Sequence, residues 1–204
     1  MPKTVGVVSL GCAKNRIDTE QMLGLLRAGG WTITADPADA EVIIVNTCGF
    51  IDPAKQESID SILEMAEYKK TGACRLLVAT GCLVQRYSGA LAEQMPEIDL
   101  LMGVSDYPHI CDLLDRALHG ARPVACSVSR EVFEAPRVLT TAPFSAFVRT
   151  GDGCDNRCAY CAIPLIRGGY RSRPYDHVLS EARGLVDAGV KELTYIAQDT
   201  TRFG

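Results

Sequence analysis

The chain has 204 residues, 47% hydrophobic and 23% charged, with 18 glycines and 10 prolines. That mixture excludes a disordered tail, a collagen-like fibre and a low-complexity segment, and its length sets an expectation of one or two globular domains. The formal net charge of −4 gives no global attraction to nucleic acid. No apolar run nears the roughly 20 residues that span a bilayer, and Met1-Pro2-Lys3-Thr4 enters a strand pattern without a signal-peptide layout. The expectation is a soluble, cytoplasmic protein with no membrane partner.

Strand-like and helix-like patterns alternate through the first 118 residues. Thr4 to Leu10 reads as a strand, Arg16 to Ala28 as a helix closed by Gly29-Gly30, and Trp31 to Thr34 as a short strand. Val42 to Val45 is a continuous β-branched run, the pattern of a strand buried on both faces. Pro53 opens a helix whose Ile59, Ile62, Leu63 and Ala66 fall at i, i+3, i+4 and i+7. Arg75 to Thr80 reads as another strand and Asp106 to Leu118 as another helix. The fold class predicted for residues 1–120 is α/β, an open parallel sheet with helices on both faces.

Pro123, Pro136 and Pro143 interrupt short extended stretches, so 121–143 reads as a linker with room for a hairpin. Beyond it, Ser145 to Thr150 reads as a strand, followed by a cysteine loop. A helix from about Asp176 to Ala188 and a strand from Glu192 to Ala197 follow. A two-stranded βαβ opening leaves its inner face uncovered, so 144–204 is expected to be the truncated beginning of a larger domain.

The informative excess is nine cysteines, at 12, 48, 74, 82, 111, 126, 154, 158 and 161. An odd number in a core-rich chain without an export signal points to metal or catalytic thiols in a reducing compartment. Cys74, Cys111 and Cys126 stand alone and are expected to be small buried hydrophobes. Cys154, Cys158 and Cys161 form C-x3-C-x2-C. Three thiolates so spaced can hold a 4Fe–4S cluster while one iron keeps no protein ligand, open to a chelating small molecule. A zinc site would want a fourth ligand, and the nearest histidine, His177, lies 16 residues on. A Cys158–Cys161 dithiol pair would leave Cys154 without a role.

Cys12, Cys48 and Cys82 each end a predicted strand, 36 and 34 residues apart, about one βαβ unit each. Ligands of open parallel sheets bind beyond the carboxyl ends of strands, so these three can meet at one point, with Gly11, Gly49 and Gly81 easing close backbone approach. The alternative is three buried cysteines in strand termini. Between Asn156 and Tyr175 stand Arg157, Arg167, Arg171 and Arg173 and no acid. They read either as a cationic floor for a carboxylate, with Arg171 and Arg173 foremost, or as a solvated face with salt bridges. His109, His119 and His177 have no partner at ligand spacing.

The cysteine loop, with Tyr160 just before its last cysteine, resembles the signature of the radical S-adenosylmethionine superfamily. Cys12, Cys48 and Cys82 match the N-terminal ligands of its methylthiotransferase family. Several stretches resemble the RimO branch: Gly11-Cys-Ala-Lys-Asn-Arg-Ile-Asp-Thr-Glu20, Asn46-Thr-Cys-Gly-Phe-Ile51 with Gln56-Glu-Ser58, Ile163-Pro-Leu-Ile-Arg-Gly-Gly-Tyr-Arg-Ser-Arg173, and Gln198-Asp-Thr200. The resemblance implies an N-terminal methylthiotransferase domain, then the first part of a (βα) barrel, whose remainder and small TRAM domain this chain lacks.

The implied cofactors are two 4Fe–4S clusters and S-adenosylmethionine. An auxiliary cluster would be held by Cys12, Cys48 and Cys82, and a radical-generating one by Cys154, Cys158 and Cys161. Tyr160 would lie against the adenine, with Arg171 and Arg173 toward the carboxylate. The implied reaction is methylthiolation of the β-carbon of an aspartate in small-subunit ribosomal protein twelve, with a flavodoxin-type electron donor. No direct nucleic-acid binding is expected of this chain, and alone it is expected to turn over poorly. The alternatives are a transfer-RNA adenosine methylthiotransferase resembling MiaB, a non-catalytic iron–sulfur electron carrier or sensor, and a zinc-binding interaction module.

Overall fold

The computed structural model describes residues 3–204. The chain opens β1 (Thr4–Ser9), α1 (Ala13–Ala28), β2 (Thr32–Ile33), β3 (Val42–Thr47), α2 (Asp52–Ala66), α3 (Tyr68–Thr71) and β4 (Leu76–Gly81). It continues through α4 (Cys82–Gln94), β5 (Leu100–Met102), α5 (Ile110–Leu118) and β6 (Val124–Ala125). These six strands form one sheet in the order β2-β1-β3-β4-β5-β6, every pairing parallel. The architecture is the α/β class expected.

β3 and β4 are buried at every position, which is why their sequences run apolar without alternation. Successive side chains still point to opposite faces. Val42 and Ile44 pack with Met22, Leu26, Ile110 and Leu114 on one side. Ile43 and Val45 pack with Ile62, Met65, Leu83 and Leu91 on the other. Helices α1 and α5 thus cover one face and α2 and α4 the opposite one. Cys74 is buried, and Cys111 and Cys126 are half-buried against these cores. Burial raises the thiol pKa of all three.

Several expectations need correction. The buried face of α2 is Ser58, Ile62, Met65 and Ala66, while Leu63 is exposed, because the apolar stripe is wider than the surface the sheet offers it. The helix expected from Asp106 begins as a 3₁₀ turn at Tyr107–His109, where Pro108 withholds an N–H, and turns α-helical only at Ile110. Helix α4 and strand β5 were not anticipated. No hairpin forms after Pro123: β6 adds in parallel to β5, inside the stretch read as linker. The next residues run extended along α1, with Val138 N–H donating to Glu20 O.

The remainder consists of β7 (Ser145–Arg149), β8 (Gly151–Asp152), α6 (Ile163–Arg167), β9 (Arg171–Ser172), α7 (Tyr175–Asp187) and β10 (Glu192–Ile196). β7 and β10 pair in parallel, β8 and β9 antiparallel. Ala146, Val148, Val178, Leu185 and Val190 form a separate small core. Helix α1 lies between this segment and the sheet. It buries Asn15, Asp18, Thr19, Glu20 and Gln21, a polar set that folding tolerates only if each group finds a partner.

Candidate functional site

The carboxyl ends of β1, β3 and β4 carry Cys12, Cys48 and Cys82. The register sets Thr47 of β3 opposite Gly81 of β4, so the residues that follow, Cys48 and Cys82, leave neighbouring strands at the same level. Cys12 is the residue before α1 and Cys82 the first of α4, so both thiols sit at helix N-termini. Cys48 is held by Ser58, whose hydroxyl accepts from the Cys48 N–H at 3.0 Å.

Two glycines make these turns possible. Gly11 has φ +84°, and a Cβ there would lie 2.9 Å from Cys48 Cβ. Gly81 has φ +97°, and its Cβ would lie 2.4 Å from Asn46 Oδ1. Both positions demand a left-handed backbone and close packing at once. Cys12 is exposed, Cys48 half-buried and Cys82 buried. Burial pushes the free Cys82 thiol up to about 11, against the pull of the Arg167 guanidinium.

Cys154, Cys158 and Cys161 lie on the loop between β8 and α6. Cys154 N–H donates to Gly168 O at 3.1 Å, and Cys161 N–H to Cys158 O at 3.0 Å. Cys158 is exposed, the other two half-buried, and all nine thiols are free. Among the described residues no group of three or more His, Cys, Asp or Glu side chains could hold a metal ion. Cys12, Cys48 and Cys82 lie at one end of the sheet without forming a site for a single ion. An iron–sulfur cluster binds each thiolate at a separate iron, so its sulfurs gather around a cube and not around one ion. Two sets of three unpaired thiols therefore fit clusters better than tetrahedral zinc, which wants four ligands.

Arg167 and Arg173 pair with acids from outside 156–175. Arg173 is buried; it binds Glu134 Oε1 at 2.9 Å, Glu181 and Arg149 O. Burial opposes its charge, but Glu134 and Glu181 outweigh that and raise its pKa. It is not free to receive a ligand's carboxylate. Arg171 donates to Ser129 O at 3.0 Å and Arg167 O at 2.8 Å, leaving its buried Nε without a partner. A cavity of about 630 Å³ opens beside Arg171, Arg149, Asp152, Phe133 and His177, and none of the six expected ligands lines it. Tyr160 is 87% exposed on the cysteine loop.

Sequence reasoning missed the acids and amide of α1. Asp18 binds Arg149 and Arg167, each at 2.6 Å, with all three side chains nearly closed to water. Arg167 also reaches Asp152 at 3.2 Å and Asn15 Oδ1 at 3.0 Å. Burial favours a neutral Asp152, but Arg167 and Arg149 outweigh it and hold its carboxyl below the ordinary value. The available signal was the i, i+3 spacing of Asn15 and Asp18, a polar stripe on an otherwise buried helix.

Residues 4–103 match the family described as "Uncharacterized protein family UPF0004". Over 203 residues and the whole chain, it is 49% identical to the ribosomal protein uS12 methylthiotransferase RimO of Myxococcus xanthus, covering 43% of that protein. Proteins of the same name from Clostridium tetani and Heliobacterium modesticaldum are 52% and 50% identical across 98% of the chain, which covers 45% and 44% of them. The chain thus spans less than half the length of the curated relatives it matches. Along its whole length the chain is similar to methylthiotransferases named RimO.

Proposed function

We propose that this chain carries the two iron–sulfur sites of an enzyme that attaches a methylthio group to the β-carbon of an aspartate in small-subunit ribosomal protein uS12. The observation that carries the reading is the pairing, on one chain, of two unbonded three-cysteine sets, one at the carboxyl ends of β1, β3 and β4 and one on the β8–α6 loop. Similarity along the whole of this chain, though less than half of theirs, to proteins named ribosomal protein uS12 methylthiotransferase supports it.

In this reading residues 1–120 form the auxiliary-cluster domain and 144–204 begin the radical domain, joined through 121–143. Cys12, Cys48 and Cys82 hold one 4Fe–4S cluster. Cys154, Cys158 and Cys161 hold the other and leave an iron for S-adenosylmethionine. When bound, these groups supply one-electron chemistry and transferable sulfur, which an unactivated C–H needs because it offers no acidic proton to a base.

The chain's own residues hold and orient. Gly11 and Gly81 let the three strand-end turns close together, and Ser58 fixes the Cys48 backbone. Tyr160, exposed beside Cys161, offers an aromatic face to the adenine. Arg171 keeps one unpaired donor, its buried Nε, while Arg173 serves by clamping Glu134 and Glu181. A flavodoxin-type protein would supply the electron, and a ribosomal substrate places the reaction in the cytoplasm.

Deleting the gene in its host and weighing uS12 tests the reading. Loss of one methylthio mass from the aspartate supports it. An unchanged uS12 with loss of the group from transfer RNA moves the protein to the alternative branch. No change in either leaves an electron carrier or sensor.

A further inference from the structure

Arg167 stands six residues after Cys161, at the end of α6, yet its guanidinium reaches the other cysteine set. Nη2 lies 3.9 Å from Cys82 Sγ, 3.0 Å from Asn15 Oδ1 and 2.6 Å from Asp18 Oδ2. Nη1 lies 3.2 Å from Asp152 Oδ2. The residue is 3% exposed. Asn15 extends this contact to the remaining turns: its Nδ2 donates to Leu10 O at 3.2 Å and to Thr47 O at 2.9 Å, the carbonyls just before the Gly11-Cys12 and Cys48 corners. Arg167 and Asn15 together thus touch the approaches to all three strand-end cysteines.

Arg149, Arg167 and Arg171 face Asp18 and Asp152, the carboxylates that pair with them among the described residues. Arg149 and Arg167 are nearly closed to water, and the Nε atoms of Arg149 and Arg171 have no acceptor. Cys82 Sγ, 3.9 Å from Arg167 Nη2, is the cysteine sulfur that this cationic cluster reaches.

We propose that Arg167 is a positioning residue that ties the two cysteine sites together and, through a charge-assisted N–H···S contact with Cys82, raises the reduction potential of the cluster at the first site. The inference rests on the reading of Cys12, Cys48 and Cys82 as cluster ligands. Potentials of iron–sulfur sites rise with hydrogen bonds to the sulfurs and with nearby positive charge. Because the same side chain closes on Asp152 at the base of the second cysteine loop, a shift of that loop would be felt at Cys82.

The test uses the 204-residue chain with Cys154, Cys158 and Cys161 changed to alanine, reconstituted anaerobically so that only the first site can hold iron. A redox titration followed by electron paramagnetic resonance compares this parent with added Arg167→Gln, Arg167→Lys or Asp152→Asn. Arg167→Gln should lower the reduced-to-oxidised ratio at the parent's midpoint about tenfold, about 59 mV for one electron. Arg167→Lys, which keeps the charge, should recover part of that. Asp152→Asn removes a negative charge and should shift the potential in the opposite direction. A merely structural Arg167 would not give opposite signs.

If Arg167→Gln fails to fold, the sign of the Asp152→Asn shift decides, and a shift downward or none overturns the proposal. Unchanged potentials in all variants with iron retained overturn it as well. A parent that takes up no iron refutes instead the cluster reading of the first site, and the inference falls with it.

Discussion

Glu20 and Arg137 meet 2.5 Å apart, the carboxylate wholly buried and the guanidinium nearly so. Arg137 comes from the extended stretch after β6 and binds Glu181 of α7 as well, while Glu20 Oε1 also accepts from the Thr140 N–H at 2.8 Å. One arginine thus joins α1, the connecting stretch and α7. Removing one partner of a buried pair strands the other, which typically costs about 3–5 kcal/mol. Arg137→Ala should lower the urea unfolding midpoint accordingly and raise the rate of proteolytic cleavage within 126–144. An unaltered midpoint would show that the pair contributes no net stability.

Gly81→Ala should be destabilising by about 1–3 kcal/mol, because alanine at this left-handed backbone position is strained and its methyl group would press on Asn46 Oδ1. The same change should reduce iron uptake at the first site and leave the second unaffected. Iron analysis of the Gly81→Ala protein, with and without the second cysteine set, separates the two effects.

Tyr160→Ala should behave differently. The side chain is exposed, so stability should change by no more than about 0.5 kcal/mol. Iron content should stay at the wild-type level, while the change that S-adenosylmethionine produces in the cluster spectrum should need a higher concentration of the ligand. An identical titration curve would remove Tyr160 from the binding site.

Acid should loosen the join between the sheet and the second segment. Asp152 has its pKa lowered by folding, so the folded state binds fewer protons there than the unfolded chain does. Its contribution is complete above the ordinary value of 3.8 and is lost as pH falls through the lower folded value. Glu134 is likewise lowered from 4.5, where Arg173 and then His177 outweigh its burial. The urea midpoint should therefore be flat between about pH 7 and pH 5 with respect to these groups and fall below about pH 4. A midpoint that improves in acid would contradict the assignment.

The sheet was readable because β3 and β4 are buried on both faces and so spell unbroken apolar runs, and because Gly29-Gly30 and Pro53 punctuate the helices between. Helix α4 was not read, since it starts at Cys82 itself and Tyr87 breaks its helical backbone. β5 has only three residues, and β6 hides among prolines. The cysteine sets were visible as spacing, one local and one as a strand-end recurrence. The electrostatic join was not. Arg167 and Arg173 stood out as cations, but their partners Asp18 and Glu134 lie 149 and 39 residues away, a separation that only the folded chain closes. Asp18 of α1 holds Arg167, and Glu134 and Glu181 hold Arg173, in internal ion pairs.

The proposed function requires two independent iron–sulfur sites on one chain. Iron and sulfide content after anaerobic reconstitution, measured on the wild type and on the Cys154/Cys158/Cys161→Ala protein, tests it most directly. The expected result is about eight irons falling to about four. About four falling to none would contradict it, leaving Cys12, Cys48 and Cys82 as strand-end core residues.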